Sequence, residues 1–140
     1  MKNTIEKNTR IIQQYFHEVW NKGKLELLDE LIAPGYVNHS SSMPDMPPGP
    51  EGLKPIVIAM RKAFPDLHYE INDLVVTTDR VVARVIMQGT HQGDFFGLPA
   101  TNKQVSVSQI NIEYINNGKI SEHWRLTDEL SLMKQLGLVK

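Results

Sequence analysis

The chain of 140 residues contains no cysteine. That excludes disulfide scaffolds, thiolate nucleophiles and cysteine-type zinc sites, and it fits a reducing compartment. An excess of one charge is also missing: 15 Lys and Arg stand against 16 Asp and Glu, a formal net charge of -1. No basic run able to track a phosphate backbone occurs, so a nucleic-acid partner is not expected. Nothing approaches the roughly 20 apolar residues of a membrane span. The polar opening MKNTIEKNTR is followed by no signal-peptide core. These absences point to a cytoplasmic protein without a membrane partner. Neither GxGxxG, a P-loop nor GxSxG is present, so nucleotide-binding and serine-hydrolase readings have no support.

What is present reads as one α+β domain over 1–140, since a chain this long buries roughly two-thirds of its unfolded surface and needs no staple to fold. Ile5, Ile12, Phe16, Val19 and Trp20 recur at helical spacing, and Asn21-Lys22-Gly23 stops them. Leu25, Leu28 and Ile32 predict a shorter helix ending at Ala33-Pro34-Gly35, with Tyr36 to His39 extended beyond it. Ser40 to Pro50 (SSSMPDMPPGP) predicts a loop or lid that borders a pocket mouth and moves more than the rest. Leu53, Ile56, Val57, Met60 and Phe64 form an amphipathic helix with Pro55 in its first turn.

From Leu67 the period changes to that of strands, at about 67–77, 80–91, 104–115 and 119–126. Thr78-Asp79 and Asn116-Asn117-Gly118 are the hairpin turns. Thr127 is placed as the cap of a last helix whose first turn holds Asp128 and Glu129. Helices followed by an antiparallel meander predict helices packed on one face of a curved sheet. In 105–113 one face carries Val105, Val107, Gln109, Asn111 and Glu113, and the other carries Ser106, Ser108, Ile110 and Ile112. In 120–127 simple alternation sets Ile120, Glu122, Trp124 and Leu126 opposite Ser121, His123, Arg125 and Thr127. Polar groups inside and apolar groups outside suggest a cavity on one face and a partner subunit on the other.

Four segments then carry a resemblance. They are Pro34 to His39; Gly49-Pro50-Glu51-Gly52 with Phe64-Pro65-Asp66-Leu67; Gly89 to Gly93 with Phe96 to Thr101; and Gly118 to Trp124 with Asp128 and Gln135-Leu136-Gly137. In this order and spacing the chain resembles the SnoaL-like polyketide cyclases, or ester cyclases. The resemblance implies a nuclear-transport-factor-like cone, usually a homodimer, around a pocket for a small organic ligand. It also implies an intramolecular aldol closure of a polyketide ester without metal or coenzyme. The family's acid/base aspartate falls on Arg125 and its assisting histidine on Asn111, so the family's proton-transfer pair is not carried over. Arginine keeps its proton in proteins.

The candidate catalytic residues are therefore Asp128, His91 and Arg125. Asp128 is either a replacement acid/base or a helix residue paired with Arg125; Arg125 either meets an anionic or carbonyl-bearing ligand or locks the last strand to the last helix. His39, Gln109, Asn111, His123 and Trp124 are the candidate ligand contacts, with Trp124 facing the subunit contact by parity. His39, His91 and His123 come from separated segments without HExxH spacing, so no metal site is assigned. A non-catalytic ligand-binding homodimer and a pure dimerisation module remain as alternative readings, because fold does not fix function.

Overall fold

The computed structural model describes residues 2–41, 43 and 45–140. Helix α1 (Lys2–Gln14) passes without a break into a π-helical segment, Tyr15–Trp20. The wider turn sets Tyr15, Phe16, Val19 and Trp20 all into the interior. Ile5, expected in the apolar stripe, is exposed, and the first buried position of α1 is Asn8. Its amide donates to the carbonyls of Thr77 and Thr78 and so ties α1 to the turn there.

The expected second helix is one 3₁₀ turn, Leu25–Leu27, and the short α2 (Leu28–Leu31). Strand β1 (Ile32–Asn38) begins where that helix was predicted to continue, and Pro34 and Gly35 lie within it. An edge strand tolerates this proline because one side of its backbone has no ladder to feed. Helix α3 (Pro50–Ala63) places Pro50 in the first turn, so Pro55 lies deeper than expected. Strands β2 (His68–Val76), β3 (Arg80–Thr90), β4 (Gln104–Asn116) and β5 (Lys119–Thr127) lie within a residue or two of the sequence reading. Asn117 and Gly118 both take positive φ in the β4–β5 turn. Helix α4 (Glu129–Gln135) follows, with Asp128 as its N-cap, one residue later than predicted.

The sheet order is β1-β5-β4-β3-β2. Strands β2 to β5 form the expected antiparallel meander, and β1 adds a parallel edge against β5. The curved sheet wraps the helices, giving the α+β cone. Val81, Ala83, Val85 and Met87 of β3 and Val105 and Val107 of β4 pack against Ile12, Phe16 and Val19 and against Leu53, Ile56 and Val57 of α3. In β5 alternation breaks: Tyr114 pairs with Glu122 but Ile115 pairs with Ile120, which leaves Ser121 as a bulge. Ile120 is therefore fully buried, not on the outer face with Glu122, Trp124 and Leu126. Among the described residues no helix is long and apolar enough to cross a membrane.

Candidate active site

The apolar inner face of β4 turns polar halfway along its length. After Val105 and Val107 come Gln109, Asn111 and Glu113, all buried. Across the ladder, Gln109 pairs with Thr127, Asn111 with Arg125, and Glu113 with His123. Strand pleat sends all of these side chains to the same face.

Glu113 and His123 form the tightest polar contact there, Oε1 to Nδ1 at 2.5 Å. Glu113 has no solvent exposure and His123 only 3%. Burial pushes the Glu113 carboxyl above its ordinary range, and the charges of His123 and Arg125 pull partly against that. With Nδ1 engaged, Nε2 is the ring nitrogen left to face the cavity that His123 lines. Among the described residues, Glu113 Oε2, Asn111 Nδ2 and the Tyr36 hydroxyl are buried without a hydrogen-bond partner. So many unpaired polar atoms in one interior is unusual for a core and ordinary for a site that completes itself with a ligand.

Tyr15, Tyr36 and Tyr69 surround this cluster, and burial pushes all three hydroxyls up, Tyr69 to about 12. They stay protonated near neutral pH and act as donors. The cleft between Tyr15, Trp20, Asn111 and His123 is small, ≈ 10 Å³. It shares Trp20, Tyr69, Gln109 and Arg125 with a neighbouring cavity of ≈ 100 Å³ that extends past Met60 and Met87 to Phe95, Phe96, Glu129 and Leu132. Arg125 donates from its backbone to Ser40 Oγ at 2.8 Å and from its guanidinium to the Ser40 carbonyl at 3.3 Å. It forms no ion pair with a described carboxylate, so its charge remains available to the cavity it lines.

Gln109, Asn111, His123 and Arg125 are thus brought together as the sequence suggested. The other candidates lie elsewhere. Asp128 is exposed; its carboxylate accepts the Ser131 N–H at 3.1 Å to cap α4, makes no pair with Arg125 and lines neither of these two cavities. His91 is fully buried beside Phe64 and Phe95; its Nδ1 accepts the Thr101 N–H, and it too lines neither of these cavities. His39 stacks on Trp124 at 4.2 Å and contacts Glu122 at 3.0 Å, on the outer side of β5. Of the predicted loop 40–50, Ser42 and Pro44 lie outside the described residues; Ser41, Met43, Asp45, Met46, Pro47 and Pro48 border a separate cavity of ≈ 400 Å³. Sequence reasoning gave no role to Glu113, Tyr15, Tyr36 or Tyr69. Only the parity of Glu113 with Gln109 and Asn111 signalled any of them.

A curved five-stranded sheet wrapped around helices defines an α+β cone fold. Residues 10–136 match the family of SnoaL-like polyketide cyclases, and the chain belongs to that family. It is 32% identical to the aklanonic acid methyl ester cyclase DnrD of Streptomyces peucetius over 126 residues, covering 86% of this chain and 84% of that one. It is 28% identical to the nogalonic acid methyl ester cyclase of Streptomyces nogalater over 119 residues, covering 84% and 89%. Among solved structures, TsrD from Streptomyces laurentii superimposes with a TM-score of 0.86 at 29% identity, covering 96% of this chain and 97% of that one.

Proposed function

We propose that this chain is a cyclase that closes a ring next to a carbonyl using its own side chains, with His123 as the acid/base. The observation that carries the reading is the buried Glu113–His123 pair. The family's carboxylate and histidine positions fall here on Arg125 and Asn111, which are cross-strand partners. One inward-facing step along the same ladder, about 7 Å away at the usual strand rise, a carboxylate and a histidine reappear with their strands exchanged. The chemistry is kept and its place in the sheet is moved.

His123 Nε2 removes the proton from the carbon beside the ester carbonyl, and Glu113 holds the imidazole in the tautomer this requires. The enolate oxygen is met by the Arg125 guanidinium and the Asn111 amide N–H, donors that line the same cleft as His123. The enolate carbon bonds to the internal ketone carbon, and the resulting alkoxide takes the proton back from His123. Substrate and product are isomers, and no electrons are gained or lost.

The ligand class that fits is a polyketide ester carrying an enolisable carbonyl. The test is incubation with aklanonic acid methyl ester and nogalonic acid methyl ester. A product of unchanged mass supports the reading. Tight binding without any conversion would make the protein a ligand carrier of the same fold. We further assign a homodimer through the outer sheet face, since Ile110 and Leu126 are 41% and 77% exposed beside half-buried Ile112, Tyr114 and Trp124. A cytoplasmic location agrees with the absence of cysteine.

A further inference from the structure

We propose that Ser40 is the positioning residue for Arg125: its hydroxyl and its carbonyl together fix the guanidinium so that the remaining N–H groups face the reacting carbonyl. This rests on the reading of Arg125 given above and adds what holds that group in place.

The need for a hold comes from the side chain itself. Arginine has a long, flexible stem and gives up much rotamer freedom when fixed. A donor already in place stabilises a developing oxyanion better than one that must reorient during the reaction. A carboxylate is the usual anchor for a guanidinium, yet none of the described ones pairs with Arg125. Asp128 spends its carboxylate on the α4 N-cap, and Glu122 contacts His39 on the outer side of the sheet.

Ser40 stands where that anchor is missing. Strand β1 ends at Asn38, in register with His123 of β5. The chain leaves the ladder there but grips β5 through two more residues. The His39 N–H donates to the His123 carbonyl, and the His39 ring stacks on Trp124. Ser40 then continues the ladder with its side chain, as the Arg125 N–H donates to Ser40 Oγ at 2.8 Å. At the other end of the same residue, Arg125 Nη2 donates to the Ser40 carbonyl at 3.3 Å. The Asn38 side-chain oxygen accepts the Ser40 N–H at 2.9 Å and closes the turn that holds Ser40 in this pose.

Arg125 is therefore held at its backbone and at its tip by one residue. The guanidinium is planar, so one anchored nitrogen and a fixed backbone set the direction of the whole fork. Nε and Nη1 have no partner among the described residues, and Arg125 lines the narrow cleft together with Asn111 and His123. A carbonyl anchor also suits the chemistry. It accepts one N–H without neutralising the charge that the enolate oxygen needs, as a carboxylate would.

The test is exchange of solvent deuterium at the carbon beside the ester carbonyl of aklanonic acid methyl ester, in Ser40→Ala, Arg125→Ala and the double variant. Ser40→Ala should slow exchange about three- to tenfold, the worth of one ordinary hydrogen bond. In the Arg125→Ala background it should slow exchange no further, because Ser40 acts only through Arg125. Ser40→Thr keeps the hydroxyl and should restore most of the loss. Without substrate, the full chain labelled with ¹⁵N-arginine gives a second readout. The Nε signal that vanishes in Arg125→Ala should be that of a rigid side chain in the parent and of a mobile one in Ser40→Ala.

The proposal is overturned if Ser40→Ala exchanges at the parent rate, slows exchange equally in both backgrounds, or leaves the Arg125 Nε as rigid as before. In those cases a loss in Arg125→Ala still upholds the site, and only the positioning falls. If Arg125→Ala exchanges at the parent rate, or the parent shows no exchange, the reading of the inner site falls and the role of Ser40 with it.

Discussion

Removing the Glu113 carboxylate asks how much of the fold depends on the His123 pair. In Glu113→Ala the His123 Nδ1 loses its partner at a position with almost no solvent access. Leaving a buried hydrogen-bonding group unsatisfied by deleting its partner costs about 1–3 kcal/mol. At roughly 4 °C per kcal/mol for a domain of this size, Glu113→Ala should melt roughly 4–12 °C below the parent. Glu113→Gln keeps an acceptor oxygen and should lose only about 1 kcal/mol.

The pH dependence has a definite sign. Burial raises the Glu113 carboxyl, so the folded state keeps that proton to a higher pH than the unfolded chain does. The resulting stability is complete below the ordinary carboxylate range and is lost as pH rises through the raised value. The Tm of Glu113→Gln should therefore gain on that of the parent as pH increases through this window. Calorimetry across pH provides both readouts. A Glu113→Ala protein that melts within about 3 °C of the parent would refute the reasoning, because the pair would then not be buried as described.

Two further outcomes are expected. Arg125→Ala should weaken binding of anthraquinone-2-carboxylate by about 1.5–3 kcal/mol, the range for a hydrogen bond to a charged group, and lower Tm little, since among the described residues its guanidinium holds only the Ser40 carbonyl; isothermal titration with a melt decides. Ile112→Asp should convert a dimer to a monomer in light scattering, and a parent chain already monomeric at micromolar concentration would contradict the interface.

The helices and strands were legible because their periods are clean. The β3 and β4 strands could be placed to within a residue or two from alternation alone. Strand β1 was misread because Pro34 and Gly35 look like a stop, and only the three-dimensional neighbour, a parallel β5, shows that they sit on an edge. The polar inner face of β4 was visible as the run Gln109, Asn111, Glu113. The partner of Glu113 was not, because the bulge at Ser121 breaks the count of residues back from the Asn117-Gly118 turn. Tyr15 sits at i+3 from Ile12, within the apolar stripe, and escaped notice because that spacing reads as core packing and says nothing of a buried hydroxyl beside Glu113. Asp128 drew attention through its place in the family motif, and its side chain is spent on capping a helix.

The central claim is that His123, held by Glu113, moves the proton. The most direct measurement is solvent-deuterium exchange at the carbon beside the ester carbonyl of aklanonic acid methyl ester, comparing His123→Gln with Asp128→Asn. Asparagine still caps a helix, so the second variant tests Asp128 as an acid without disturbing α4. The account predicts that His123→Gln slows exchange by about 10²–10⁴-fold, the usual contribution of a positioned acid/base, while Asp128→Asn exchanges at the parent rate. Exchange that survives in His123→Gln, or that is lost in Asp128→Asn, would contradict it.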